Sequence, residues 1–147
     1  MVIEAGKSGV IGSFPLLNAR PIEKCAEWLQ QMKDELKETP WAVNFISHKK
    51  ANKRYEEDLE LIRKYEPPIV ITSLDHPGEA LEIVHGYGGD IYSDVATARH
   101  AEKVASTGVD GLILVCSGAG GHGGTLSPFA FIAAVKEFFD GTIILAG

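Results

Sequence analysis

A glycine-rich loop around a single histidine is the part of this sequence best suited to chemistry. Residues 118–124 read Gly-Ala-Gly-Gly-His-Gly-Gly and follow directly on the apolar run 111–116. Glycine has no Cβ, so it lets another group approach the backbone closely and accepts positive φ, at an entropic cost. The pattern predicts a cofactor-binding loop at the end of a buried strand. His122 is the only side chain of this loop that can transfer a proton.

Several other catalytic motifs are missing from the sequence. The loop lacks the Lys-Ser/Thr pair of a P-loop, and no Gly-x-Ser-x-Gly elbow surrounds Ser117 or Ser127. Cys25 and Cys116 form no Cys-x-x-Cys or Cys/His pattern, so we expect no metal site. A cofactor contact through the loop backbone is therefore favoured over acyl transfer or zinc chemistry.

Composition narrows the class of protein and its partners. The chain has 147 residues, 45% of them hydrophobic and 23% charged, which fits one domain over residues 1–147. Its formal charge of −6 predicts no nucleic-acid partner, because no basic stripe is present to neutralise phosphates. No apolar run approaches the ~18 residues of a membrane span, and the first residues do not resemble a signal peptide. We expect a cytoplasmic protein without a membrane partner.

Strand-like and helix-like segments alternate along the chain. The predicted strands are 10–14, 41–46, 69–74, 90–95, 109–116 and 142–147, and the main predicted helices are 21–36, 55–65, 80–84, 96–106 and 128–139. A helix in every gap requires parallel pairing, and continuous apolar strands indicate a sheet that is covered on both faces. The fold class is therefore α/β. Periodicity alone leaves a doubly wound sheet and a (β/α)₈ barrel open.

Five stretches occur in the order and spacing of a known enzyme family. They are Gly-Val-Ile-Gly-Ser (9–13), Val-Asn-Phe (43–45), Arg-His-Ala-Glu-Lys (99–103), Gly-Val-Asp-Gly (108–111) and the loop 118–124. Together they resemble nitronate monooxygenase, formerly 2-nitropropane dioxygenase, over nearly the whole chain. The related FMN-dependent enoyl reductases of fatty-acid synthesis are similar over the same stretches.

The resemblance implies a parallel (β/α) TIM barrel with its active site at the carboxyl ends of the strands. About six of the eight βα units would lie in residues 1–147, as one partial flavin-binding barrel domain. Both ends of the chain look like cuts inside a larger repeat, so we expect the first and last strands to be absent. FMN phosphate binds in this family at the loops after the last two strands, and Ala146 and Gly147 would be the first residues of the first of these two loops.

The resemblance also implies roles for particular residues. His122 matches the family's active-site histidine and is the expected catalytic residue. Ser73 and Asp94 end their predicted strands and so face the same rim as Asn44, although other members place a lysine where this sequence has Asp94. The expected cofactor-binding residues are Asn44, Ser73, Asp94, Cys116, Gly118, Ala119, Gly120 and Gly121.

The activity that the resemblance implies is oxidation of an alkyl nitronate. The family uses FMN and O₂, through one-electron transfer, to give a carbonyl compound and nitrite. We therefore expect a flavin-dependent oxidoreductase whose partners are a nitronate or nitroalkane and O₂. His122 would deprotonate a neutral nitroalkane as a free imidazole or hold the nitronate as an imidazolium.

Alternatives remain open from the sequence. The chain is either an oxidase of nitronates, a flavin enoyl reductase that uses a reduced nicotinamide, or a remnant that binds no flavin unaided. Exposed sheet edges in such a remnant would favour a homo-oligomer. Simpler interpretations also exist for single residues: a surface role for His122, strand bonding for Asn44 and plain burial for Cys116.

Overall fold

Helices and strands alternate along all 147 residues, which the computed structural model describes in full. The elements in chain order are α1 (Val2–Lys7), β1 (Ser13–Pro15), α2 (Ile22–Leu36), β2 (Ala42–Ile46), α3 (Tyr55–Tyr65), β3 (Ile69–Ser73), α4 (Glu79–Gly86), β4 (Asp90–Val95), α5 (Ala98–Ala105), β5 (Gly111–Val115), α6 (Pro128–Val135) and β6 (Thr142–Ala146). A single 3₁₀ turn, Leu16–Asn18, follows β1.

All six strands are parallel, and their order in the sheet is their order in the chain, β1 to β6. Because parallel crossovers are almost always right-handed, a sequential order places every helix on the same side of the sheet. A doubly wound sheet instead reverses its strand order and carries helices on both sides. The structure therefore confirms the α/β fold of TIM-barrel type and resolves the choice that periodicity left open.

The two faces of the sheet differ in what covers them. Alternate residues such as Val43, Val70 and Leu112 point toward the helices and are fully buried; we call this the helix face. Their strand neighbours, such as Asn44, Ile71 and Asp94, lie on the opposite side, which we call the inner face. These three inner-face residues are only partly buried, although the sequence predicted a sheet covered on both sides.

Apolar burial on the helix face holds the fold together. In α2 the fully or nearly buried residues Cys25, Leu29, Met32 and Leu36 recur at helical spacing and pack into a core of 29 residues. Phe45 from β2 and Phe131 from α6 are completely buried in the same core. Burial of one such large side chain contributes roughly 1.5–3 kcal/mol. The core thus anchors every strand through its helix side and leaves the inner face free.

The strand ends differ from the sequence-based boundaries for local reasons. β1 begins at Ser13 instead of Val10, because Gly12 packs on the backbone of Val2 and leaves Val10 exposed. β3 ends one residue earlier than predicted, at Ser73, because Leu74 adopts a φ of 73°. Neither change alters the order of the elements. None of the helices combines the length and apolar character that a bilayer crossing would require.

A buried ion pair fastens the segment after β1 to the start of α3. Arg54 donates to the carbonyl oxygens of Ala19 and Leu16 at 2.7 and 2.8 Å and to Asp58 Oδ1 at 2.9 Å. The side chain of Asp58 is 0% exposed and accepts a second hydrogen bond from Asn52. Burial raises the pKa of Asp58, against the opposing effect of these donors. The network therefore depends on the mutual neutralisation of two charges that water does not reach freely.

We expect Asp58→Asn to lower the free energy of unfolding by about 3–5 kcal/mol, because it leaves the Arg54 guanidinium buried without a counter-charge. Urea denaturation followed by circular dichroism measures this change. The matched control is Glu57→Gln, which removes the same charge from the exposed neighbouring residue and should change stability by no more than about 0.5 kcal/mol. Equal stability of the two variants would contradict this account of the ion pair.

Candidate active site

Three polar side chains form a hydrogen-bonded row across the inner face. Asn44 Nδ2 donates to Ser73 Oγ at 2.6 Å, and Ser73 Oγ donates to Asp94 Oδ2 at 2.6 Å. The residues come from three neighbouring strands, β2, β3 and β4. The structure therefore brings together three of the residues that the sequence predicted as cofactor contacts, and we call them the polar row.

The register of the sheet explains why these residues meet. Asn44 is paired with Ile71, and Ser73 lies two residues further on the same face of β3. In the layer nearer the strand starts, the ring of Tyr92 lies over Gly111, where any Cβ would come within 2.9 Å of it. Tyr92 is paired with Gly111 and precedes Asp94 on the same face. The inner face is thus filled by an aromatic ring at its amino end and lined by polar groups at its carboxyl end.

Asp94 carries the charge of the polar row. Burial raises the pKa of this carboxyl, while the Ser73 hydroxyl, the backbone N–H of Leu74 and the nearby His100 favour the ionised form. The backbone of Leu74 lies in the left-handed region, a conformation that is uncommon for leucine. The carboxylate is therefore held by donors from the neighbouring strand end.

The glycine-rich loop lies at the same end of the sheet, because it follows the carboxyl end of β5. It folds back on the strand end through Cys116, whose carbonyl oxygen accepts from Ala119 N–H and Gly124 N–H, both at 3.1 Å. A further bond from Ser117 N–H to the carbonyl of Leu126 closes its base at 2.9 Å. The loop is thus an ordered turn at the carboxyl edge, as the sequence predicted, and it does not enter a helix.

The glycines of this loop fall into two groups. A Cβ on Gly124 would collide with the carbonyl oxygen of Val115, and one on Gly118 would lie 3.1 Å from the backbone of Gly147. These two glycines let backbone pack on backbone. Gly120 and Gly121, in contrast, have no atom within 4 Å of the Cβ position. Their bare backbone faces open space, which is the property expected of a surface against which a ligand lies flat.

His122 and Cys116 lie in different surroundings. His122 is exposed at the tip of the loop, where its imidazole is accessible to a ligand. Cys116 is fully buried on the helix face, and its thiol donates to the carbonyl oxygen of Leu114 at 3.3 Å. The backbone N–H of Cys116 is also engaged, with Ala146 O at 2.8 Å. Cys116 therefore shapes the loop and presents no free polar group to the inner face.

Sequence reasoning missed two residues that support the polar row. The Leu74 N–H acts to lower the pKa of Asp94, and no sequence pattern predicted the left-handed backbone of Leu74. The Ser47 hydroxyl lies 3.0 Å from the carbonyl oxygen of Ser73 and 3.1 Å from that of Asp75, so it ties the end of β2 to the end of β3. The position of Ser47 directly after a predicted strand was the available signal for it.

A cleft of about 610 Å³ lies beside the polar row and not over it. It separates the loops that follow β2 and β3, and two of its histidines have fixed ring orientations. His48 Nδ1 accepts from Ala51 N–H at 3.2 Å, and His76 Nδ1 accepts from Gly78 N–H at 3.1 Å. The ring of His76 thus takes part in the turn that precedes α4. No group of three or more His, Cys, Asp or Glu side chains is placed to hold a metal ion.

The residues of this rim fit a flat, polar ring system. Such a ring needs a side-chain-free surface, which Gly120 and Gly121 provide, and amide or hydroxyl groups for its polar edge, which Asn44 and Ser73 provide. The geometry thus matches the general form of a flavin site at the carboxyl end of a parallel barrel.

Comparison with solved structures shows the same architecture in larger proteins. FabK from Thermotoga maritima superposes with a TM-score of 0.83 at 17% identity, over 98% of this chain and 45% of that one. Nitroalkane oxidase from Streptomyces ansochromogenes gives 0.79 at 16% identity, over 98% and 53%. The enoyl reductase domain of MlnA from Bacillus amyloliquefaciens gives 0.72 at 17% identity, over 100% and 44%. The chain spans about half the length of these proteins.

Among curated proteins, no sequence matches this chain at a significant level. A family model does match: that of nitronate monooxygenase covers residues 7–147, which is nearly the whole chain. This match agrees with the sequential strand order and with the position of the glycine-rich loop at the carboxyl end of β5. The chain belongs to the nitronate monooxygenase family, and it folds as part of a TIM-type barrel.

Proposed function

We propose that this chain supplies the inner wall of an FMN site and that the protein containing it oxidises alkyl nitronates with O₂ to carbonyl compounds and nitrite. The observation that carries the proposal is the pairing of bare backbone at Gly120 and Gly121 with the exposed imidazole of His122 at the carboxyl edge. Membership of the nitronate monooxygenase family supports it.

The flavin, when bound, supplies the redox chemistry, and the chain supplies position and proton transfer. Gly120 and Gly121 would support the face of the ring, while Asn44 and Ser73 would meet its polar edge. His122 is the proton carrier of this arrangement. As a neutral imidazole it removes the α-proton of a nitroalkane, and as an imidazolium it holds the anionic nitronate.

Gly120 provides a test of flavin contact that is independent of turnover. We expect Gly120→Ala to weaken FMN binding at least tenfold, because the new methyl group would occupy the space next to the ring. The methyl group should not disturb the fold, because no atom of the chain lies within 4 Å of its position. Fluorescence quenching of FMN on titration with protein measures the affinity.

Gly86→Ala is the matched control for Gly120→Ala. Gly86 also has no atom within 4 Å of its Cβ position, but it ends α4 at the opposite edge of the sheet. It should leave FMN affinity unchanged, and both variants should unfold within about 1 kcal/mol of the parent. Equal FMN affinity in all three proteins would refute contact at Gly120.

The base role of His122 predicts a difference between two forms of one substrate. We expect His122→Asn in the FMN-loaded protein to lower kcat/KM for the neutral nitroalkane by roughly 10²–10⁴-fold, the usual contribution of a positioned general base. The fall in kcat/KM for the pre-formed nitronate should be far smaller, because this form has already lost its α-proton. Nitrite release from each form measures the difference.

Two other results would count against this proposal. Equal losses for nitroalkane and nitronate would rule out the base role of His122. Oxidation of NADPH with an enoyl thioester, without nitrite from any nitronate, would instead assign the protein to flavin-dependent enoyl reduction.

A further inference from the structure

The hydrogen bonds of the polar row run in one direction. Asn44 Nδ2 faces both Ser73 Oγ, at 2.6 Å, and the carbonyl oxygen of Ile71, at 3.4 Å. A carbonyl oxygen can only accept, so this contact fixes the amide with its NH₂ group toward β3. Ser73 Oγ therefore accepts from Asn44, and its single proton is directed to Asp94.

The row consequently ends in an acceptor. Asp94 accepts a hydrogen bond from the Ser73 hydroxyl, which favours a carboxylate with a negative charge, and the Leu74 N–H also acts to lower the pKa of Asp94. From the neighbouring elements, His100 of α5 is the titratable group that acts on it, and its effect also favours the ionised form. Asn44 and Ser73 are neutral.

No basic residue of the sheet offsets this charge. The six strands contain only two charged side chains, Asp90 and Asp94, and both belong to β4. Asp90 begins the strand and is exposed, whereas Asp94 lies half-buried near its carboxyl end. A ring bound on the inner face at this edge therefore meets a negative charge that the strands do not compensate.

We propose that Asp94, positioned by Asn44 and Ser73, lowers the electron affinity of the flavin that this face binds. The inference rests on the proposed flavin site. Reduction places additional negative charge on the flavin, and a nearby carboxylate opposes it by Coulomb repulsion. A flavin of low reduction potential gives electrons to O₂ readily and takes them only from electron-rich donors, a class that includes nitronate anions.

The experiment compares the FMN-loaded parent with Asp94→Asn in a dye-coupled reductive titration at about pH 8.5, well above the ordinary range of a carboxyl pKa. At the ambient potential that half-reduces the parent, we expect the ratio of reduced to oxidised flavin to be about tenfold or more higher in the variant. A unit charge a few ångströms away in a half-buried site has at least this effect.

Asp90→Asn is the matched control for Asp94→Asn. It makes the same charge change at the other end of the same strand and should leave the reduction ratio unchanged. Ser73→Ala tests the positioning role, because the carboxylate then loses its hydroxyl donor. We expect it to shift the ratio in the same direction as Asp94→Asn but by less, and Ser73→Thr to restore the parent value.

Folding of the Asp94→Asn variant is checked by its stability. Burial raises the pKa of Asp94 in the folded protein, so ionisation of this group begins to oppose folding as the pH rises through the unfolded pKa of about 4, and the effect is complete above the folded pKa. The variant should therefore gain stability relative to the parent between about pH 4 and 8.5. Asp94→Ala gives a second test of the potential if Asp94→Asn does not fold.

The possible outcomes separate the two proposals. If the parent retains no FMN on gel filtration, both the flavin site and this role of Asp94 are wrong. If the parent retains FMN and Asp94→Asn reduces at the same potential, the role of Asp94 is wrong and the flavin site stands. An equal change of the reduction ratio in Asp90→Asn would also overturn the role of Asp94, because the effect would then come from net charge alone.

Discussion

The right-handed crossover between parallel strands is the constraint on which the rest of this structure depends. Repeated five times in chain order, it puts every helix on one side of the sheet and every strand's carboxyl end at one edge. Apolar burial then acts on the helix face alone, where 29 residues form the core. No helix covers the inner face. Polar groups from separate strands meet at its carboxyl edge.

The two kinds of polar group in this protein follow different physical rules. The Arg54–Asp58 pair is largely buried, and Arg54 also holds the backbone carbonyls of Ala19 and Leu16 in place. The polar row is partly open, and its charge ends on a face that the chain itself does not cover. A buried pair stabilises only while both partners remain, whereas a half-buried carboxylate is available to a ligand. The Arg54–Asp58 pair therefore has a structural role, whereas the polar row is a candidate for a functional role.

The glycine-rich loop shows how one residue type serves both purposes. Gly118 and Gly124 allow backbone to pack against Gly147 and Val115, and so they hold the loop on the strand ends. Gly120 and Gly121 contact nothing and leave the loop surface bare. Gly120 and Gly121 can serve as a binding surface only because Gly118 and Gly124 fix the position of the loop. Such a division is typical of ligand-binding turns, in which rigidity and access are required within a few residues.

The sequence by itself determined the fold class, the six strands to within a few residues, and the loop that carries His122, because apolar runs and glycine stops are local signals. It also indicated Ser73 and Asp94 as residues near strand ends, and the family resemblance indicated Asn44. Only the tertiary structure decided that they form one hydrogen-bonded row, that Cys116 points into the core, and that the sheet is of barrel type. These facts depend on register and strand order, which arise from contacts between residues far apart in the chain.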